Sequence, residues 1–398
     1  MRKIIIVGAG ISGLSLAHFL QKGEKYDVTI LERDTEFNSE RQGFSLTMQA
    51  NTEQILKEYN LYDEIRSLGL GVTTQVFLTN TGEVLYQNTE NDTRRFNYPL
   101  PRQSLRKVFL DKLQNDPIKW NMKVTTITGS YMNGFTVLAE SEGTVHRFEA
   151  DIVVACDGIN SPTRKKFFPN LKLNDLKLCN VYGITKLDDL DEDEKSKFFG
   201  TEVQVFDGNL RFFSKPFDEP SGKQMWELTW PIDEKGEFME LYERYARGED
   251  IRSDALTKCQ EKIKTFTMPW LHKFFLKSEP SDVIVHPLSD LDPNSFDVQS
   301  IPFGLFMIGD VIHPMSPYKG MGANESFLDA YNLAKFLQES ELLAEDTFRK
   351  FTKDMIERTA PTVLRSREIT KFYHSPDVID KEKLSQFKKW KTSSEKKI

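Results

Sequence analysis

Lys3-Ile4-Ile5-Ile6-Val7 runs without a break into Gly8-Ala9-Gly10-Ile11-Ser12-Gly13, and no other feature narrows the fold so far. A short, nearly continuous apolar run is the mark of a strand buried on both faces, which belongs in a parallel sheet flanked by helices. Leu14 to Gln21 continues with helical periodicity, and Val28 to Leu31 forms a second buried run. Strand, glycine turn, helix and strand within about thirty residues is the size of a βαβ unit. The three glycines differ in what they allow. Gly8 permits the tight turn, Gly10 lets the backbone approach a pyrophosphate, and Gly13 lets the helix lie close on the strand. The helix start at Ile11 and Ser12 offers free N–H groups and a partial positive charge to phosphates. Glu32 ends the second strand nineteen residues beyond Gly13, where an acid accepts from a ribose hydroxyl. Arg33 beside it either covers the adenine or sits on the surface. The segment reads as a dinucleotide-binding unit.

The chain has 398 residues, more than one compact domain needs, so two connected domains are expected. A formal net charge of −7 with no broad basic field argues against a nucleic-acid partner. Cys156, Cys179 and Cys259 lack metal-ligand spacing and cannot all pair, which suits a reducing compartment. No other cluster has the grouping of a metal site. The first strand begins by Lys3, and no window reaches the length of a membrane span. The expectation is a cytoplasmic monomer without integral membrane contact. The lysines from Lys381 to Lys397 read as a solvated or frayed tail.

Farther along, Asn51 to Tyr59 reads as an amphipathic helix with Asn51 as its cap. Val76-Phe77-Leu78 and Val84-Leu85-Tyr86 around Asn80-Thr81-Gly82 predict a hairpin of an antiparallel sheet. A helix from Gln103 to Asn115 returns the chain to the parallel core. A second hairpin is predicted from Phe135–Ala139 and Val145–Phe148, followed by a buried strand at Ile152–Ala155. From Leu173 to Val285 phenylalanine and tryptophan are dense, and Trp226, Leu228 and Trp230 share one face of a strand by the two-residue period. Phe303–Ile308 reads as another buried strand, Glu325–Leu337 as a helix, and Thr347–Phe372 as one or two more.

Two further segments sharpen the reading. Val153-Val154-Ala155-Cys156-Asp157-Gly158-Ile159-Asn160-Ser161-Pro162-Thr163-Arg164 resembles the Asp-Gly motif of FAD-dependent aromatic hydroxylases. Ile308-Gly309-Asp310-Val311-Ile312-His313-Pro314, continuing to Pro317 and Gly320-Met321-Gly322-Ala323-Asn324, resembles their Gly-Asp motif and the loop after it. Together with the glycine turn, these segments are similar to the class A flavoprotein monooxygenases. That family has the para-hydroxybenzoate hydroxylase fold and includes the tetracycline-inactivating monooxygenases. The resemblance is specific in the flavin domain. Val311 and Ile312 stand where small residues are common, and Met321 where glutamine is frequent.

The resemblance implies an α/β fold with a Rossmann-like FAD domain, an inserted and mainly antiparallel substrate domain, and C-terminal helices. The FAD domain is expected to comprise residues 1–75, 99–172 and 286–340, and the substrate domain 76–98 and 173–285, with a helical segment and polar tail at 341–398. It further implies non-covalent FAD, NADPH or NADH as a transient electron donor, and dioxygen. The reaction implied is hydroxylation of a small organic substrate, aromatic or polycyclic, through a C4a-hydroperoxyflavin. In the family, the arginine matching Arg102 lies along FAD, residues matching Arg41 and Gly43 line the flavin or donor approach, and Asp157 connects FAD binding with the nicotinamide approach. Asp310 matches the residue that hydrogen-bonds the ribityl or pyrophosphate region. The backbone at Gly320, Gly322, Ala323 and Asn324 could stabilise negative charge at the N1–C2 edge of reduced flavin. Arg211 is the candidate substrate contact, and no catalytic residue is assigned: His313 is a general base or a structural loop residue. Two other readings stay open, an FAD-dependent dehydrogenase or reductase, and a flavin-binding regulatory protein without turnover.

Overall fold

The computed structural model describes residues 1–37, 45–89, 98–188, 190–218, 222–232 and 237–395. The fold is mixed α/β, and the chain divides into two compact units. The first comprises 1–68, 102–174 and 289–367, and the second 69–101, 175–288 and 368–398.

The first unit is built on a five-stranded sheet whose order is Leu305–Met307, Ile152–Ala155, Arg2–Val7, Tyr26–Leu31, Ile118–Lys119, every pairing parallel. Its central strands are the apolar runs of the sequence, and Ile4, Ile6, Val153 and Val154 are fully buried. Both faces of such a strand must be covered, so alternation gives way to continuous hydrophobicity. The helix Ile11–Gln21 crosses over from Arg2–Val7 to its neighbour Tyr26–Leu31, and Phe19 meets Phe327 of the helix Gly322–Glu339 at 5.3 Å between ring centroids. A three-stranded antiparallel sheet, Lys123–Ser130, Gly134–Ser141 and Thr144–Ala150, also belongs to this unit. Its second turn places Glu142 and Gly143 at positive φ, as a two-residue hairpin demands.

The second unit holds a seven-stranded sheet in the order Ile284–Asp290, Asn174–Lys186, Lys223–Pro231, Arg211–Asp218, Thr201–Phe206, Thr74–Thr79, Val84–Thr89. Among its registered neighbours only Thr201–Phe206 and Thr74–Thr79 run parallel. The period-two pattern places Trp226, Leu228 and Trp230 in one apolar cluster with Val181, Val203, Val205 and Phe212, packed with Leu271, Phe274 and Phe275 of the helix Pro269–Leu276. Phe198, Phe212, Trp226 and Trp230 of this stretch therefore fill a core, while Phe199 is exposed.

Several expectations need correction. Asn51 caps nothing: it lies inside the 3-10 turn Ala50–Thr52, and the helix runs from Glu53 to Glu58 without a side-chain cap. The Phe303–Ile308 run forms a strand only over Leu305–Met307. Of the one or two helices expected over Thr347–Phe372 there is one, Glu345–Tyr373, as that reading allowed, with Pro361 inside it. The lysine-rich end is no frayed tail, because Lys381–Glu395 is helical. Its apolar residues recur at helical spacing: Leu384 is buried, and Phe387 stacks on Phe372 at 3.8 Å with 4° between the planes. Lys388 lies over the rings of Phe77 and Tyr86, at 4.4 and 3.9 Å, so its stem and charge both find partners.

Gly183 pairs with Trp226 across the sheet, and a Cβ at Gly183 would stand 2.2 Å from the indole. Gly183→Ala should destabilise the protein by roughly 1–3 kcal/mol, since a fully buried Trp226 has no room to withdraw. Urea unfolding followed by tryptophan fluorescence measures the loss, and an unchanged midpoint would contradict this packing.

Candidate active site

The glycine turn shows which of its residues serve the protein's own packing. Gly8 adopts φ +104°, and a Cβ there would lie 2.6 Å from the Cys156 carbonyl oxygen. A Cβ on Gly13 would lie 2.0 Å from the Gly8 carbonyl oxygen. Gly10 differs from both. Its φ of −74° is open to any residue, and the nearest atom to an added Cβ would be Nη2 of Arg102 at 3.9 Å. Neither conformation nor packing demands glycine here, which fits a group approaching the backbone from outside the chain. The helix Ile11–Gln21 starts at this point with no side-chain cap and no acid in its first turn. The amides of Ile11, Ser12 and Gly13 thus lack intrahelical acceptors and face the position read as a pyrophosphate site.

Buried polar side chains brace this turn. Glu32 accepts from the Ala9 N–H at 2.6 Å and from the Asp34 N–H at 2.9 Å. Each carboxylate oxygen keeps a second lone pair, enough to receive a hydroxyl. Arg106, fully buried, donates from Nε and Nη2 to the Ala9 carbonyl at 3.2 and 3.0 Å. Arg102 sits with Asp310, Glu32 and Asp34: burial pulls its guanidinium down from the ordinary arginine range, and the three carboxylates pull it back. Arg33 is exposed. Arg41 and Gly43 lie outside the described residues.

Arg164 ties the Asp-Gly and Gly-Asp segments together. Asp157 accepts from the Ser161 hydroxyl at 2.5 Å and the Thr163 N–H at 3.0 Å, while Ser161 caps the helix Pro162–Phe167. The Arg164 side chain then donates to the carbonyls of Asp310 at 3.2 Å, Val311 at 2.9 Å, and Ile159. Burial lifts the Asp310 carboxyl above the ordinary carboxylate range, and His313, Arg102 and Arg164 draw it back. Gly309 takes φ +65°, and its missing side chain leaves the turn resting on the hydroxyls of Ser12 and Ser326. Burial beside Asp157 raises the Cys156 thiol well above its usual range, so it stays protonated.

A group that sequence reasoning missed holds the Asp310 turn in place. One oxygen of Asp329, fully buried, accepts from the Gly309 N–H at 2.8 Å and meets Nε2 of His313 at 2.6 Å. Its other oxygen pairs with Arg358, which also pairs with Glu325, and Thr362 donates to Glu325 at 3.4 Å. His313 has no exposed surface, and its ring is fixed as a tether of the turn. The available signal was Glu325 and Asp329, two acids four apart on one face of a helix that also carries Phe327, Ala330 and Leu333.

The loop at 320–324 leads into the helix Gly322–Glu339, again without a side-chain cap. Gly320 adopts φ +68°, and Pro317, exposed, opens the short turn before it. An added Cβ on Gly322 would find only Met315 Cγ, at 3.7 Å. Asn324 spends its side chain on the protein: Oδ1 accepts from the Gln49 N–H at 2.9 Å, and Nδ2 donates to the carbonyls of Thr47 and Gly320 at 2.8 and 3.1 Å. Any contact it makes with a cofactor is left to its backbone. In the other unit, Arg211 is buried against Glu227, with 2.7 Å between Nη1 and Oε2. Among the described residues, no group of three or more His, Cys, Asp or Glu is placed to hold a metal.

Comparison with known proteins bears on the same residues. The model of the FAD binding domain family matches residues 1–197 and 282–344. The FAD-dependent monooxygenase adrH of Penicillium rubens is 25% identical over 364 residues, spanning 89% of this chain and 72% of its own. The monooxygenase cfoF of Aspergillus candidus is 24% identical, spanning 92% and 90%. Among solved structures, Klebsiella pneumoniae HpxO complexed with FAD and uric acid superposes with a TM-score of 0.78 at 18% identity, covering 98% of this chain and 92% of that one. The tetracycline destructase Tet(51) gives 0.70 at 16% identity, covering 99% and 98%.

Two outcomes follow from the geometry. Gly10→Val should keep the wild-type fold by circular dichroism yet purify largely stripped of FAD, whereas Gly13→Val should fail to fold. A Gly10→Val protein with full flavin occupancy would refute the pyrophosphate site. Asp329→Asn removes the charge opposite Arg358 and should lower stability by roughly 3 kcal/mol in urea unfolding, weakening FAD retention with it. A wild-type midpoint would mean the network carries no such weight.

Proposed function

On the premise that the chain belongs to the FAD binding domain family, whose model matches most of it, we propose that it is an FAD-dependent monooxygenase acting on a small organic molecule. The observation that carries the proposal is Gly10, a glycine that the protein's own packing does not require, at an uncapped helix start beside Arg102. The names of relatives aligned over most of the chain support the activity. Bound FAD would supply the redox chemistry, taking a hydride from NADPH or NADH and activating dioxygen.

The chain's own residues bind and orient. The amides of Ile11, Ser12 and Gly13 would take the pyrophosphate, and Glu32 a ribose hydroxyl. Arg102 would lie along the cofactor, with Asp310 at its ribityl or pyrophosphate region. The amides at Gly322 and Ala323 would face the N1–C2 edge, where negative charge gathers on reduction. Only one dinucleotide fingerprint is present in the sequence, at Gly8 to Gly13, so the nicotinamide donor would bind transiently. An aromatic or polycyclic substrate follows from the family resemblance alone, since Phe198, Phe212, Trp226 and Trp230 belong to the core. Three buried free thiols suit a cytoplasmic setting.

The experiment that decides is anaerobic addition of NADPH or NADH to purified protein, followed by air. The flavin bands should bleach with one donor and return with oxygen. Oxygen from labelled dioxygen should enter a small-molecule substrate found by screening. Reduction without incorporation would favour a dehydrogenase or reductase, and a flavin that no donor reduces, even across the substrate screen, would favour a binding protein without turnover.

A further inference from the structure

The seven-stranded sheet of the second unit has two unlike faces. One is the apolar cluster that contains Val181, Val203, Phe212, Trp226 and Leu228. Strand alternation places Asn180, Gln204, Arg211, Lys215, Glu227 and Thr229 on the other, and none of them is more than 7% exposed. Six polar side chains sunk on one sheet face are costly unless each finds a partner.

Most of them do. Arg211 donates from Nη1 to Glu227 Oε2 at 2.7 Å and from Nε to Gln204 Oε1 at 3.0 Å, and its guanidinium lies 4.8 Å from the centroid of the Phe213 ring. The Thr229 hydroxyl meets His374 Nε2 at 2.8 Å. Burial pulls the Lys215 ammonium down to about 8, and Glu202 and Glu227 draw it back up. Arg211 and Lys215 therefore stand beside Glu202 and Glu227, and Lys388 reaches the same face through Gln75 Oε1 at 2.7 Å.

Two side chains are left over. Asn180, with no exposed surface, has no partner for either Oδ1 or Nδ2, and Glu227 has none for Oε1. They are diagonal neighbours on adjacent strands, Asn180 opposite Thr229 and Glu227 opposite Tyr182. A carboxamide offers one donor and one acceptor side by side, and the free carboxylate oxygen asks for a donor.

We propose that this face recognises the substrate, and that the substrate is an uncharged ring system bearing an N–H or O–H beside a carbonyl, as in a lactam or its vinylogous counterpart. Its donor–acceptor edge pairs with the Asn180 carboxamide, and a further N–H or O–H reaches Glu227 Oε1. A carboxylate-bearing ring is disfavoured, because the free oxygen of Glu227 beside Asn180 repels it. Arg211 is then a positioning residue that fixes Glu227. The inference rests on the monooxygenase reading and supplies the substrate class for it.

The experiment uses the full-length, FAD-loaded protein and ligand-observed NMR titration with two probes, neutral 2-quinolone and charged quinoline-2-carboxylate. The lactam should bind about tenfold or more tightly than the carboxylate. Asn180→Leu and Glu227→Gln should each weaken it by about tenfold, the scale of losing one or two buried hydrogen bonds. Asn180→Asp, isosteric and without the donor, serves if Asn180→Leu does not fold. Equal binding of the two probes, no lactam binding, or variants that bind the lactam like wild type would overturn the proposal, leaving the orphan groups to buried water. Reduction of the flavin by NADPH is read on the same samples. Normal reduction with Asn180-independent binding sinks only this inference, and Asn180-dependent binding on a flavin no donor reduces sinks the monooxygenase reading instead.

Discussion

Everything at the end of the parallel sheet depends on how closely the helix Ile11–Gln21 lies on the first strand. With no side chain on Gly13, the Gly8 carbonyl comes within 2.0 Å of where a Cβ would stand. That contact sets the helix start over the strand end, aims its unpartnered amides outward, and leaves Gly10 at the open edge. Glu32 and Arg106 then clamp the Ala9 peptide from both sides, one through its N–H and the other through its carbonyl. The turn's own side chains thus brace it without a ligand, which lowers the ordering cost left for binding.

The same logic extends to the other two segments by means of charge. Arg164 and Asp329 are buried, and each joins elements far apart in sequence: Arg164 reaches the carbonyls of Asp310 and Val311, and Asp329 reaches Gly309, His313 and Arg358. Buried ion pairs add little net stability relative to a well-packed apolar core, but losing one partner is expensive. Their effect here is geometric. They hold the turn bearing Asp310 in one arrangement beside Arg102 and the glycine turn, where apolar packing would leave it several.

The parallel core was legible because continuous apolar runs bounded by glycine admit few alternatives. Lys3–Val7, Val28–Leu31 and Ile152–Ala155 all lie in the strands expected of them. The signals that failed were those in which local preference competes with tertiary context. Asn51 has a capping side chain but sits within a 3-10 turn, and the lysines after Lys381 hide an apolar stripe at Leu384 and Phe387 that pins the helix. In the site, the glycines and Asp310 could be named from spacing. Asp329, Arg358 and Arg106 could not, because their roles arise only when distant helices converge. Nor does sequence alone tell that Asn324 is spent on Thr47, Gln49 and Gly320.

The central claim is that this chain holds FAD non-covalently at the turn around Gly10. The direct measurement is acid precipitation of the purified protein, with identification and quantification of whatever flavin stays in solution. The account predicts FAD released in stoichiometric amount with the chain. A colourless protein that also fails to take up added FAD, or a flavin that stays with the precipitate, would contradict it.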